Sequence, residues 1–153
     1  MEEKNHHATE FEYNQITDEI FIGTNACCGT HFSKELLEKR ITADMSLEKE
    51  RVDQPFGVEF FFWLPTADEH SPNEDQFTVG VAILEQCVAL KRKVYVHCKH
   101  GHGRAPTMVA AYFVAQGDTV EEAIGKIKKK RPVVHLNEEQ VESLNHFKEN
   151  IKK

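Results

Sequence analysis

Residues 93–115 read KVYVHCKHGHGRAPTMVAAYFVA: a β-branched and aromatic run, a glycine-punctuated segment, then an almost unbroken apolar stretch. That order spells a strand, a short loop and a buried helix, so the fold must let a strand feed a helix from its carboxyl end. A loop entering a helix this way points backbone N–H groups into one concavity, and the helix N-terminus adds roughly half a unit of positive charge. The segment is a phosphate trap. Cys98 stands at one end of it and Arg104 at the other, a nucleophile and a planar anion clamp facing one point.

The rest of the chain supplies alternating elements. Glu19–Gly23 reads as a strand, Ser33-Lys34-Glu35-Leu36-Leu37 as a helix start with Ser33 as its cap, and Ile41–Leu47 and Val58–Leu64 are two further strands, the second so apolar that both faces should be covered. Ser71, Pro72 and Glu74 form a capping box with a pre-set first turn, opening a helix through about residue 91 striped by Phe77, Val81, Leu84 and Val88. Val94–His97 is the strand before the loop, and Gly117 ends the helix after it. A further helix begins near Val120 and stops at Arg131-Pro132, and Asn137 with Gln140 caps a last one. Strands interleaved with helices predict an α/β fold, a central, mostly parallel sheet of four to five strands flanked by helices, with the active loop between a central strand and a buried helix.

At 153 residues the chain fits one domain. Residues 1–12 are polar without periodicity and read as a mobile arm, with structure starting near Ile16 and a single domain over 13–153. Four cysteines in unlike contexts do not suggest a disulfide framework, and no secretory signal precedes them; with a thiolate nucleophile, this predicts a cytoplasmic protein. A net charge of −6 argues against nucleic acid or an anionic membrane as a general partner, and no apolar run is long enough to span a bilayer.

The pattern His97-Cys98, five residues, Arg104 resembles the cysteine-dependent protein tyrosine phosphatases, in particular their small dual-specificity branch; His97, Cys98, Gly101 and Arg104 are the matching positions. Ala105 departs from the usual Ser or Thr, as it does in the phosphatases of regenerating liver, which also carry Arg-Ala-Pro. The resemblance spans about residues 13–150 and implies the phosphatase fold and a phosphocysteine mechanism without cofactor. It also implies that His97 orders the loop from behind, and that the hydroxyl absent at Ala105 is one that relatives use when the intermediate is hydrolysed.

The chemistry can be read position by position. A helix N-terminus, backbone donors and a guanidinium together favour the Cys98 thiolate; the alternative is a small buried apolar residue. A cation at a helix start opposes the dipole, so Arg104 there points to an anion. Gly101 and Gly103 permit close backbone approach, and Lys99, His100, Gly101, His102, Gly103 and Arg104 are the candidate substrate-binding residues, with Lys99 and His102 on the charged rim. A phenolate or alkoxide leaves poorly, so a neighbouring loop should supply an acid. Asp68 is the choice, on position after Trp63-Leu64-Pro65 and on the family resemblance; Glu69, His70 and Asp75 are rivals.

Some features read as structural. Cys98, His100 and His102 could ligate a metal, but no second ligand pair at zinc-like spacing accompanies them, and no metal or cofactor is expected. Cys27-Cys28 could protect Cys98 through a transient disulfide, although vicinal cysteines more often only pack. Lys126–Arg131 reads as a solvated helix face and Phe60–Trp63 as core. The expected activity is hydrolysis of phosphotyrosine, with phosphoserine and phosphothreonine included, in a phosphorylated protein or small phosphomonoester. The alternatives are a phosphoinositide or polyphosphate phosphatase, a low-turnover module binding phosphate or a partner, and a rhodanese-type sulfur transferase.

Overall fold

The computed structural model describes residues 10–152. The elements are β1 (Tyr13–Gln15), β2 (Ile20–Gly23), a single 3-10 turn (Asn25–Cys27), α1 (Lys34–Glu38), β3 (Ile41–Glu48), β4 (Phe60–Thr66), α2 (Glu74–Ala89), β5 (Lys93–His97), α3 (Arg104–Ala115), α4 (Val120–Lys130) and α5 (Glu138–Ile151). One five-stranded sheet runs in the order β1-β2-β5-β3-β4, and only the β1–β2 pair is antiparallel. The α/β architecture expected from the sequence is therefore present, with β5 at the sheet centre.

Strand alternation divides the chemistry between the two faces. Val94, Val96 and Cys98 join the main core under α2, α3, α4 and α5, whereas Tyr95 belongs to a smaller cluster with Phe21, Ile41, Phe32, Leu36 and the two vicinal cysteines. His97 shares the Tyr95 side. Helix α3 is the central helix: every residue from Arg104 to Val114 is buried, so the loop before it is fixed at both ends by packed elements.

Several local expectations need correction. Structure begins at Tyr13, ahead of Ile16, and Glu10 and Glu12 are tied down, Thr24 Oγ1 donating to the Glu10 carbonyl and Glu12 pairing with Arg131; residues 1–9 of the expected arm lie outside the described residues. The cap of α2 is Asn73, not Ser71. Asn73 and Gln76 make the reciprocal box at 2.8 and 3.0 Å, because Asn caps as well as Ser and the Gln amide completes the pair two residues later.

Strand β4 is not covered on both faces. It is an edge strand, and Phe60, Phe61 and Trp63 are each 38–40% exposed while Phe62 and Leu64 pack on the core. An edge position is a property of topology, which an apolar run does not report. Arg131 likewise leaves the solvated face assigned to it: Lys128–Lys130 are exposed, but Arg131 is fully buried. No helix among the described residues is long and apolar enough to cross a membrane.

Candidate active site

The loop between β5 and α3 opens on a cavity of about 350 Å³ whose lining includes Cys98, Lys99, His100, His102, Gly103, Arg104 and Asp68. Cys98 lies at its floor, 3% exposed and free, with the Ala105 backbone N–H directed at its Sγ at 3.5 Å. That N–H belongs to the first turn of α3, so the sulfur sits at the positive end of the helix. Thr107 is engaged elsewhere, its hydroxyl donating to the Gly103 carbonyl at 2.7 Å.

Arg104 is buried, and the direction of its fork is set by a residue the sequence did not flag. Glu50 accepts from Nη1 and Nη2 at 2.9 and 3.0 Å, and the Thr66 carbonyl takes a second Nη1 hydrogen at 2.8 Å. Among the described residues no hydrogen bond uses Nε–H, so the Nε/Nη2 edge is the one free to take two phosphate oxygens. Burial alone would lower the Arg104 pKa, but the Glu50 hydrogen bonds and the surrounding negative charge outweigh it and raise it. The same contact holds the Glu50 carboxyl below the usual carboxylate range. Glu50 lies in the charged run LEKERVD, where nothing in the local pattern marks one acid above another.

Asp68 reaches the mouth of the cavity with Oδ1 3.4 Å from Arg104 Nη2, and its side chain is 69% exposed. Its loop is braced from α5. Asn137 Nδ2 donates to the Glu69 carbonyl at 2.8 Å and Gln140 Nε2 to the His70 carbonyl at 3.2 Å, while the same two residues form the reciprocal cap of α5. Glu69 adopts φ +68°, which turns the chain sharply after Asp68. Of the rival acids, Glu69 lines the cavity, His70 pairs with Glu139, and Asp75 lies in the first turn of α2.

The loop itself is held from below by Arg131. Its Nε and Nη2 donate to the carbonyls of Gly101 and His100, both at 2.9 Å, and its outer hydrogens reach Glu12 and Asn14. Gly101 has φ +72°, and a Cβ there would stand 2.6 Å from the Gly23 carbonyl oxygen, so only glycine fits. Burial, then the nearby Arg131 charge, lowers the His102 pKa. Lys99 is another basic side chain lining the cavity.

Behind the loop, His97 is fully buried. Its Nε2 lies 2.7 Å from Asp53 Oδ2 and 3.1 Å from Asp44 Oδ1, and its Nδ1 lies 3.3 Å from the Cys98 carbonyl. Burial by itself lowers the imidazole pKa, but Asp44 and Asp53 more than reverse this and raise it well above its ordinary value. Cys27 and Cys28 are joined to each other as a disulfide beside this ring, with Cys28 Sγ 3.5 Å from Nε2. Cys98 stays unpaired, so the two vicinal sulfurs make no bond to it.

Comparison with known proteins agrees with this geometry. Residues 20–150 match the dual specificity phosphatase catalytic-domain family. Human "phosphatidylglycerophosphatase and protein-tyrosine phosphatase 1" is 37% identical over 81 residues, covering 52% of this chain and 40% of that protein. The Arabidopsis thaliana "protein-tyrosine-phosphatase IBR5" is 32% identical over 77 residues, 50% of this chain and 30% of that one. The crystal structure of PTPMT1 in complex with PI(5)P superposes with a TM-score of 0.75 at 27% identity, over 92% of this chain and 96% of that one. The matched stretch spans well under half the length of the two curated relatives. A cysteine at the floor of a helix-capped anion loop, an arginine clamp on the same loop and a match across residues 20–150 place the chain in the dual-specificity phosphatase family.

Proposed function

We propose that the protein hydrolyses phosphomonoesters in two steps through a phosphocysteine, with phosphotyrosine as the leading substrate and phosphoserine and phosphothreonine also admitted. The observation that carries this is the convergence of Cys98, Arg104 and Asp68 on one open cavity. A substrate phosphate takes the Nε/Nη2 edge of Arg104 and the loop N–H groups, which places phosphorus over the Cys98 sulfur. The S–P bond forms as the P–O ester bond breaks, and Asp68 gives its proton to the departing oxygen. Water then attacks phosphorus, Asp68 takes the water's proton, and the thiolate leaves with inorganic phosphate as product. A thiolate nucleophile needs a reducing compartment, and the cytoplasm is where we place the protein.

The second reading is a phosphoinositide substrate. It is supported by similarity to PTPMT1, whose structure holds PI(5)P, and by Lys99 on the rim. A pure binding module is disfavoured by Asp68, since capture of phosphate needs no acid. The test is steady-state and single-turnover hydrolysis of an aryl phosphate by wild type, Cys98→Ser and Asp68→Ala, followed by competition between a phosphotyrosyl peptide and a short-chain phosphoinositide. Activity lost in Cys98→Ser supports the mechanism. Tight phosphate binding without turnover in wild type would favour the binding module.

A further inference from the structure

On the side of the sheet away from Met45, Val96 and Cys98, the residues Cys27, Cys28, Asp44, Asp53 and His97 are all buried, and one donor atom from each lies within 4.8 Å of every other. We propose that this cluster is a binding site for a single divalent transition metal of the zinc class, ligated by the two thiolates, His97 Nε2 and Asp44, with Asp53 beside them. The inference is independent of the phosphatase reading.

The donor set is the first argument. Two sulfurs, an imidazole and a carboxylate suit zinc, and donors about 2.0–2.3 Å from a tetrahedral ion stand roughly 3.3–3.8 Å apart, a spread that a 4.8 Å cluster accommodates with small side-chain shifts. The elements also converge. The 3-10 turn delivers Cys27 with Cys28 just after it, β3 delivers Asp44 on the face opposite Met45, the segment after β3 delivers Asp53, and β5 delivers His97.

The second argument is an unmet need. Both Asp44 oxygens and Glu48 Oε1 are buried without a hydrogen-bond partner among the described residues. The 3.1 Å approach of His97 Nε2 to Asp44 Oδ1 does not satisfy Asp44, because a single N–H serves one acceptor and Asp53 is nearer at 2.7 Å. Asp53 has a further donor in Arg51 at 3.0 Å, and Glu48 has Asn25 at 2.9 Å. Asp44 has neither, so this fully buried carboxylate, aimed into the cluster, needs a cation or a proton.

Asp44, Glu48 and Asp53 are buried together, and among the described residues His97 and Arg51 pair with them. A divalent ion cancels the charge of the two thiolates that hold it and gives Asp44 a cation in place of the His97 proton. His97 also has the outer contact expected of a ligating imidazole. Its Nδ1 faces the Cys98 carbonyl at 3.3 Å, a contact that stays in place when a metal displaces the Nε2 proton now directed at Asp53. The metal would thus grip the residue before the nucleophile.

A Cys27–Cys28 disulfide is the competing state of the same sulfurs. A small dithiol breaks that S–S bond by supplying two electrons and two protons, leaving as its own disulfide, and metal binding then displaces the two thiol protons.

The test uses the full chain without an affinity tag, reduced with a dithiol and freed of metal by chelation. Titration with Co²⁺ should saturate near one ion per chain, with a thiolate-to-cobalt charge-transfer band and the intense visible bands of a tetrahedral centre. Zn²⁺ should bleach both and raise Tm by more than about 5 °C. Cys98→Ser should bind as wild type does, which separates this site from the catalytic loop. Asp44→Asn, close in volume, should weaken binding at least tenfold, and Cys27→Ser/Cys28→Ser should abolish the charge-transfer band. A cobalt spectrum that stays octahedral in the reduced wild type would overturn the proposal. So would a Cys27–Cys28 disulfide that persists in excess dithiol, or loss of the band in Cys98→Ser.

Discussion

Arg131 donates its Nε hydrogen to the carbonyl of Gly101 at 2.9 Å, so a residue 30 positions downstream sets the floor of the catalytic loop. The side chain is fully buried and its guanidinium also serves His100, Glu12 and Asn14. Arg131→Met leaves these acceptors without their donor, and the expected loss is about 3 kcal/mol or more, read by urea unfolding. Arg131→Lys keeps the charge but not the fork, so a smaller stability loss with a raised KM for aryl phosphate is expected.

Gly101→Ala should be harmful on its own account. A left-handed backbone costs a residue with a Cβ about 1–2 kcal/mol, and here the new methyl also meets the Gly23 carbonyl at 2.6 Å. Lower Tm and at least tenfold weaker phosphate binding by calorimetry are the expected results.

Glu50 makes Arg104 sensitive to acid. Its pKa is depressed in the fold, so its contribution is present above the ordinary carboxylate range and is lost as pH falls through its own lower value. Vanadate affinity should therefore carry an acidic limb that Glu50→Gln removes. At neutral pH that variant should lose roughly tenfold in kcat/KM, the size of one charge-assisted contact. Glu50 is 44% exposed, so global stability should change little.

Asp68→Asn should lower kcat by about 10²–10⁴ for phenyl phosphate and far less for an ester with an activated leaving group. The pH-rate profile should lose the limb on which the acid must be protonated. Equal losses for both esters would remove Asp68 as the proton donor.

Ala105→Ser tests the second chemical step. The Ala105 N–H already points at the Cys98 sulfur, and Thr107 spends its hydroxyl on Gly103, so no side-chain hydroxyl of this helix turn is offered to the departing thiolate. Wild type should show a burst followed by slower turnover, and the serine variant a higher steady-state rate. Equal rates would remove the idea.

How much of this was legible depended on whether the signal was local. The β5-loop-α3 segment announces itself because strand, glycines and apolar helix are contiguous, and Asn137 with Gln140 is a readable cap. That the same pair braces the Asp68 loop is not readable, since it depends on where α5 lands. Arg131 hides at the end of a lysine run, and only the end of α4 passing under the loop separates it from its solvated neighbours. Asp44 sits in a strand of weak alternation, where neither of the two acids among Ile41–Glu48 gives a hint of its burial. Phe60–Trp63 misleads because hydrophobicity reports an affinity for burial and sheet order decides whether it is met.

The central claim is that Cys98 carries the phosphoryl group. The most direct measurement is acid quenching of the enzyme during aryl phosphate turnover, followed by mass spectrometry of the peptide bearing Cys98. The account predicts a peptide heavier by one phosphoryl group in wild type, more of it when Asp68 is replaced and an activated ester is used, and none in Cys98→Ser. Turnover with no phosphorylated peptide, at a rate that Cys98→Ser matches, would contradict it.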